Sequence, residues 1–432
     1  MEKLINVSKT ALSLLKEGGA ENASCRASFS TVREFNVDNG RFSLYRTLYG
    51  AGLTLTALVG GKKGTVASGS IDEDEVASLC ADCIAAANAG KSDDAYTIAA
   101  ENRQESFVVG AIECDEAKLF DRSKQLLDTI KGAFPLIVIE QMIVKHRKVE
   151  TVYADASGTV YQKTAGVYEM DLMYSAHEGD KTSSFFGSGI LCDNLDKPFI
   201  EHGRIADELE EVQNQIETVP VSGKFTGTVI LPPSVFGEII DSALGNFASG
   251  GALLEGTSPW ADALGTKVAS DSLTVRLAPH DKRIVNGAHI SGEGFINKDF
   301  TFIENGVLKS FVMSRYFAKK LGKEASPNTT SNYVIENGTV SLADMKKSVK
   351  KGLWVGRLSG GSPASNGDFS AVAKNSFLIE DGVVKQAVSE TMINGNLKDM
   401  LMNISAISDV QAEDGQTVLP FAAIEGVVIS GK

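Results

Sequence analysis

Apolar residues return every third or fourth position through "MEKLINVSKTALSLLKEGGA" and then fall into alternation. The first pattern predicts a helix over 1–19 that stops at Gly18-Gly19. "GLTLTALVGGKKGTVASG" predicts strand, turn, strand, with Leu53, Leu55 and Leu58 ahead of the turn glycines. Helical spacing recurs over 71–90, opened by acids that suit the positive end of the helix dipole, and again over 115–132. Alternation over 136–190 predicts several strands, and "DKPFIEHGRIADELEEVQNQIETVP" at 196–220 predicts an acidic helix stopped by Pro220.

The pattern changes at 224. "KFTGTVILPP" predicts a strand, and a helix follows within "VFGEIIDSALGNFASGG" (235–251). Val235, Phe236, Ile239, Ile240, Ala243, Leu244 and Phe247 share one face of it, the expected core side. Ser234 is the expected N-cap, Glu238 favours the positive end, and Gly250-Gly251 are the expected stop. The other side carries Glu238, Asp241, Ser242 and Asn246. Beyond it, "FIENGVLKSFVMS" (302–314), "YVIENGTVS" (333–341) and "FLIEDGVVKQAV" (377–388) each place Asn-Gly or Asp-Gly between strand-like runs, a hairpin signal.

These shifts divide the 432 residues into an N-terminal α/β region (1–110), a middle α+β region (111–220) and a β-rich C-terminal domain (221–432). The division agrees with domains of roughly 100–200 residues. A chain 43% hydrophobic and 22% charged belongs with soluble globular proteins.

Charge and cysteines narrow the partners. The net charge of −13, from 42 basic and 55 acidic residues, argues against nucleic acid as a partner. "KHRKVE" at 145–150 adjoins apolar "LIVIEQMIV" and reads as a strand end, not a basic patch. No run approaches the roughly 20 apolar residues that span a bilayer, and the acid-bearing N-terminal helix is no signal peptide. Cys25, Cys80, Cys83, Cys114 and Cys192 form an odd, scattered set that suits a reducing compartment. The expectation is a cytoplasmic protein with no membrane partner.

Local motifs for chemistry are weak. "CADC" at 80–83 lies in a helical pattern without a second cysteine pair and reads as structural. "GGKKGT" at 60–65 has the wrong order for a phosphate loop. "FFGSGI" and "HISGEG" miss the nucleophile-elbow spacing. Cys114 precedes a helix but sits among acids that would raise its pKa. Asp262, Asp271 and Asp281 recur with Gly and Ser and read as turn or surface acids. Among His146, His177, His202, His280 and His289, no pair has zinc-helix spacing. His280 and His289 flank a glycine-rich segment and could converge.

Longer stretches say more. "EGTSPWADALGTKVASDSLTV" (255–275), "FIENGVLKSFVMSRYFAKKLG" (302–322), "LWVGRLSGGSPASNGDFS" (353–370) and "VSETMINGNLKDMLMNISAISD" (388–409) resemble the TldD/PmbA family, also called modulators of DNA gyrase. The likeness continues more loosely around "GGKKGTVASGSIDEDEV". It implies an α+β fold: a mixed N-terminal domain, then a β-rich C-terminal domain that could close toward a barrel. It also implies a dimer. The family has two kinds of subunit. One carries H-E-x-x-x-H on this helix and a later cysteine, binds a metal and hydrolyses peptides. The other lacks those ligands and pairs with the first.

Counting back from "GTS" at 256–258 places the family's helix ligands at Asp241, Ser242 and Asn246, and its cysteine at Gln411. No histidine occurs from 203 to 279. Zinc favours imidazole and thiolate, and the base that would activate a bound water is missing as well. The resemblance therefore implies the metal-less, PmbA/TldE-like subunit of a metallopeptidase assembly that processes unfolded peptides. Such a subunit has no catalytic residue, metal or cofactor of its own and is inactive alone. Its expected partners are a metal-bearing TldD-like subunit, or itself, and an extended peptide. The backbone at Gly250, Gly251, Gly360 and Gly361, with Asp368 and Phe369, is the expected peptide contact. Two alternatives stand beside this: an independent homodimeric peptidase with a divergent metal site using scattered carboxylates and His280 or His289, or a regulatory binding protein.

Overall fold

Long alternating runs build the first sheet. In the computed structural model, which describes residues 1–389 and 391–431, β1 (Asn22–Asp38) and β2 (Arg41–Val59) form one long hairpin. Glu390, inside the stretch 388–409, and Lys432 lie outside the described residues. The hairpin turns at Asn39-Gly40, whose φ values of 51° and 71° are the left-handed pair that a tight turn between twisted strands requires. β3 (Lys62–Ser68) folds back onto β2, but only over Leu53–Val59.

β4 (Gln104–Gly110), β5 (Ile137–Asp155) and β6 (Val160–Glu178) complete the order β3-β2-β1-β5-β6-β4. β7 (Lys181–Thr182) and β8 (Phe186–Cys192) also pair with β6. Strands from both the 1–110 and the 111–220 regions thus share this sheet. The basic segment 145–150 lies mid-strand in β5, not at a strand end, because Lys145 and Arg147 pair across the ladder with Glu169 of β6. Helices α1 (Glu2–Glu17) and α2 (Glu73–Ala89) cover one part of the sheet through Leu4, Val7, Leu15, Val76, Cys80 and Cys83. The C-x-x-C pair is therefore core. Helices α3 (Glu116–Ala133) and α4 (Ile205–Gln213) cover another through Leu119, Leu126, Ile130 and Leu209.

The acidic helix expected over 196–220 is broken. Only 205–213 is α-helical, after a short 3-10 turn at Phe199–Glu201. Gly203 at φ 53° takes a conformation that no helix continues through, and Thr218–Pro220 joins the second sheet as β9.

The second sheet continues with β10 (Lys224–Leu231), β11 (Val275–Leu277), β12 (Phe300–Glu304), β13 (Val307–Leu308) and β14 (Tyr333–Ile335). It ends with β15 (Lys351–Trp354), β16 (Arg357–Ser359), β17 (Asp368–Lys374), β18 (Ser376–Glu380), β19 (Val383–Ser389), β20 (Thr391–Asn396), β21 (Ile404–Glu413) and β22 (Val418–Ser430). β22 pairs with β10, β14, β20 and β21, so the sheet curls around it into a half-barrel. Strands outweigh helices, at 43% against 24% of residues, and the mixed α+β fold is the one the family resemblance implies.

Two of the three expected hairpins form. Asn305-Gly306 joins β12 to β13 and Asp381-Gly382 joins β18 to β19, each pair at positive φ. "YVIENGTVS" does not form one. Only β14 is a strand there, and neither Asn337 nor Gly338 has positive φ. Gly338 is required for another reason: a Cβ on it would lie 2.2 Å from the Ile407 carbonyl oxygen. Its N–H donates to Ser408 O, so the segment runs alongside β21 and does not turn back.

Candidate functional site

Helix α5 (Pro233–Ala243) leaves β10 without a side-chain cap. Pro233 starts it with φ already near the helical value and no N–H to satisfy, so Ser234 is not the cap. Val235, Phe236, Ile239, Ile240, Ala243 and Phe247 are buried as their spacing predicts. Gly237 is buried too, because a Cβ there would sit 2.9 Å from Leu419 and 3.2 Å from the Tyr333 hydroxyl. That hydroxyl donates to Gly237 O at 3.1 Å and also lies against the Asp241 carboxyl.

The helix does not end at the paired glycines. It loosens into one π turn at Leu244–Ala248, a feature frequent at functional sites. Ser249 closes that turn by donating to Gly245 O (2.6 Å) and caps α6 (Gly250–Leu254) by accepting from Ala252 N. Gly250 opens α6, since a Cβ on it would strike Phe317 at 2.5 Å.

The positions that the resemblance implies for the family's ligands fall into three settings. Asp241 touches solvent yet is crowded by protein. Desolvation pushes its carboxyl above the usual range, the Tyr333 hydrogen bond opposing in part. Glu238 is raised by the same burial and by Asp241 beside it. Asn246, in the π turn, donates its amide to Pro363 O (3.2 Å) and Ala364 O (3.4 Å). Gln411, on β21, accepts from Arg283 Nη1 (3.1 Å) and donates to Ile335 O (2.6 Å). Ser242 is half-buried on the same helix. Asp241 and Gln411 thus flank β14, at Tyr333 and Ile335. Asn246 belongs to the far end of the helix.

This donor set does not fit zinc. Two of the four groups are carboxamides already engaged within the chain, one is a hydroxyl, and the remaining carboxyl is pushed toward its neutral form. Among the described residues, no three His, Cys, Asp or Glu side chains gather as metal ligands.

His280 and His289 do converge, edge to face with ring centroids 4.8 Å apart. Each spends one ring nitrogen on a backbone carbonyl, His280 on Asn297 O and His289 on Gly287 O, both at 2.9 Å. His146 bonds Ala111 O. Cys114 is half-buried and its thiol is raised chiefly by burial, with Arg33 opposing. Asp281 is the most perturbed acid near Gln411, held well below the usual carboxylate range by its hydrogen bonds to Arg283.

Asn246 carries the π turn to the loop before β17, so the two glycine-rich segments meet. Gly367 completes the contact, since a Cβ there would lie 2.7 Å from the Phe247 ring. Of the expected peptide contacts, Gly360, Gly361 and Asp368 are exposed and Gly251 half-exposed. Gly250 and Phe369 are buried, the latter in the core. Asp368 accepts from the amides of Asn366 (2.7 Å) and Asn396 (2.8 Å).

The sequence gives no hint of a polar cleft of about 720 Å³ between the two sheets. Lys145, Arg147, Glu169 and Asp171 face Thr330, Asn332 and Gln416 across it. Its walls lie far apart in sequence, so no local motif marks them.

Residues 222–431 match the PmbA/TldA metallopeptidase C-terminal domain. "Metalloprotease PmbA" of Escherichia coli O157:H7 is 30% identical over 200 residues, covering 44% of this chain and 43% of that protein. A "Metalloprotease" of Methanothermobacter thermautotrophicus is 29% identical over the same length and the same shares. The chain thus spans under half the length of these curated relatives. The crystal structure of TldE from Thermococcus kodakarensis superposes with a TM-score of 0.83 at 21% identity, over 98% of this chain and 99% of that one, a likeness of fold. No described helix is long and apolar enough to cross a membrane. Residues 222–431 thus form a PmbA/TldD family domain.

Proposed function

We propose that the chain is a non-catalytic subunit of a TldD/TldE-type metallopeptidase assembly that processes unfolded peptides, completing a metal-bearing sister subunit. The observation that carries this is the donor set: at the positions matching the family's ligands stand Asp241, Ser242, Asn246 and Gln411, with the two amides spent on Pro363, Ala364, Arg283 and Ile335. No activated water or general base follows from such a set. What the subunit contributes is shape. Backbone groups at Gly360 and Gly361 are exposed and open to an extended peptide, a mode tolerant of sequence, whereas Gly251 lies in α6 with its carbonyl accepting from Glu255 N. The net charge of −13 favours a peptide over nucleic acid as the bound chain.

The test is a peptidase assay on the purified chain alone, on a metal-bearing relative alone, and on the two together. The reading requires no EDTA-sensitive cleavage by the chain alone and a gain on mixing. Strong EDTA-sensitive cleavage by the chain alone rules it out.

A further inference from the structure

The tip of the β1–β2 hairpin lies over α3, and a groove of about 660 Å³ opens where the two meet the start of β5. Helix α3 lines it with one stripe: Phe120, Lys124, Leu127 and Lys131 recur at helical spacing, and Phe134 follows where the helix ends. Phe42 of the hairpin closes on Phe120, with ring centroids 4.7 Å apart, and Phe120 also meets Phe35 at 5.5 Å. Ile130 and Ile139, both core residues, lie beneath. The groove nevertheless leaves apolar surface open to water: Phe42 is 37% exposed, Phe120 38% and Val138 39%. None of these residues belongs to α5 or to the glycine-rich segments near it.

Charge says what fits. Nearby cations are spent within the chain, Arg33 on Glu116 and Lys118 on Asp196. Arg41, Lys124 and Lys131 line the groove, are exposed, and belong to no ion pair among the described residues. Asp128 is the one acid beside them. A chain of net charge −13 thus carries a locally positive rim around an apolar trough. A polyanion would leave the trough empty, and an uncharged apolar ligand would leave the cations unused. The volume lies within the roughly 300–1,000 Å³ of small-ligand sites. Residues 39–42 and 120–139 supply every lining group, too short a stretch for a stable protein interface of about 800 Å² a side.

We propose that this groove binds a free aliphatic carboxylate, its head at Arg41, Lys124 and Lys131 and its chain along Phe42, Phe120, Leu127 and Val138. Arginine's planar fork matches a carboxylate, and two lysines add charge without fixing its angle. Phe42 and Phe120 already cover one another, so the open remainder is a mixture of ring edges with Leu, Ile and Val side chains. A flexible hydrocarbon chain fills such a mixture better than a flat ring. The head joins the hairpin, through Arg41, to α3, through Lys124 and Lys131. The proposal goes beyond the peptidase reading and does not rest on it.

Titration calorimetry of the full chain with octanoate, decanoate and laurate, each below its micelle-forming concentration, tests it. The expected result is one saturable site whose affinity rises about two- to fourfold per methylene, as burial of hydrocarbon requires. Acetate and dodecyltrimethylammonium should not bind there. The double variant Lys124→Gln, Lys131→Gln should weaken laurate at least about tenfold and keep the dependence on chain length. Val138→Trp, which puts a strand-favouring ring into the trough, should abolish binding with all three cations in place. Circular dichroism should be unchanged in both, since the three side chains are exposed. No saturable laurate binding, equal binding of dodecyltrimethylammonium, or laurate affinity unchanged in both variants overturns the proposal. So does binding to phosphatidylglycerol vesicles, or to an apolar peptide, by a chain that ignores free laurate. Each of these outcomes leaves the peptidase reading standing, and EDTA-sensitive cleavage by the chain alone overturns only that reading.

Discussion

At α5 and its surroundings, polar groups find partners inside the chain. The Tyr333 hydroxyl goes to Gly237 O, the Asn246 amide to Pro363 O and Ala364 O, and the Gln411 amide to Arg283 and Ile335 O. Along the outer edge of β2 from Arg41 to Gly52 the balance is reversed: backbone groups have no neighbouring strand among the described residues, and Leu44, Leu48 and Tyr49 face water. The first region spends its chemistry on holding the fold, and the second leaves its chemistry unspent. Changes near α5 should therefore be read out as stability, and changes on this edge of β2 should leave stability nearly untouched. A residue in either region that behaves the other way would break the contrast.

The largest effect belongs to the core face of α5. Phe236 is fully buried. Phe236→Ala should cost about 3–5 kcal/mol, measured by urea unfolding. The effect at Asp281 is smaller and depends on pH. Hydrogen bonds to Arg283 hold its folded pKa below the unfolded one. Its contribution is therefore complete above the ordinary aspartate range and is lost as pH falls through the folded value. Asp281→Asn should cost about 1–3 kcal/mol near neutral pH, and the gap between parent and variant should close in acid. A gap that stays constant with pH would mean that the ion pair adds nothing. Tyr333→Phe should cost about 1 kcal/mol. It should also raise the Asp241 pKa further, because the hydroxyl stabilises the charged carboxylate there; carboxyl NMR titration reads this directly.

The same contrast explains what could be read from the chain. Buried faces were legible: α5 and the π turn after it bury the residues their spacing named, Leu244 only in part, and Asn305-Gly306 and Asp381-Gly382 turn as their side chains dictate. Asn337-Gly338 shows the limit. The dipeptide looks the same, but its glycine serves close approach to Ile407, a contact set by distant strands. Gly250 likewise opens a helix because Phe317 lies against it, which no local pattern records. In the candidate site, Asp241, Asn246 and Gln411 came from family register alone. Their partners Tyr333, Ala364 and Arg283 are remote in sequence and became visible only in the fold. For β2 the alternation was legible, but the missing neighbour was not, since an edge is a property of the sheet and not of the strand.

The smallest expected effect on the fold sharpens the contrast most. Tyr49 is 71% exposed, and its one aromatic partner among the described residues is Phe29. Tyr49→Thr keeps a residue that favours strands and removes the large ring. Such a surface change should stay within about 0.5 kcal/mol in urea unfolding, with the far-UV spectrum intact. A Tyr49→Thr variant that unfolds far more easily than the parent would move Tyr49 to the fold-holding side of the molecule.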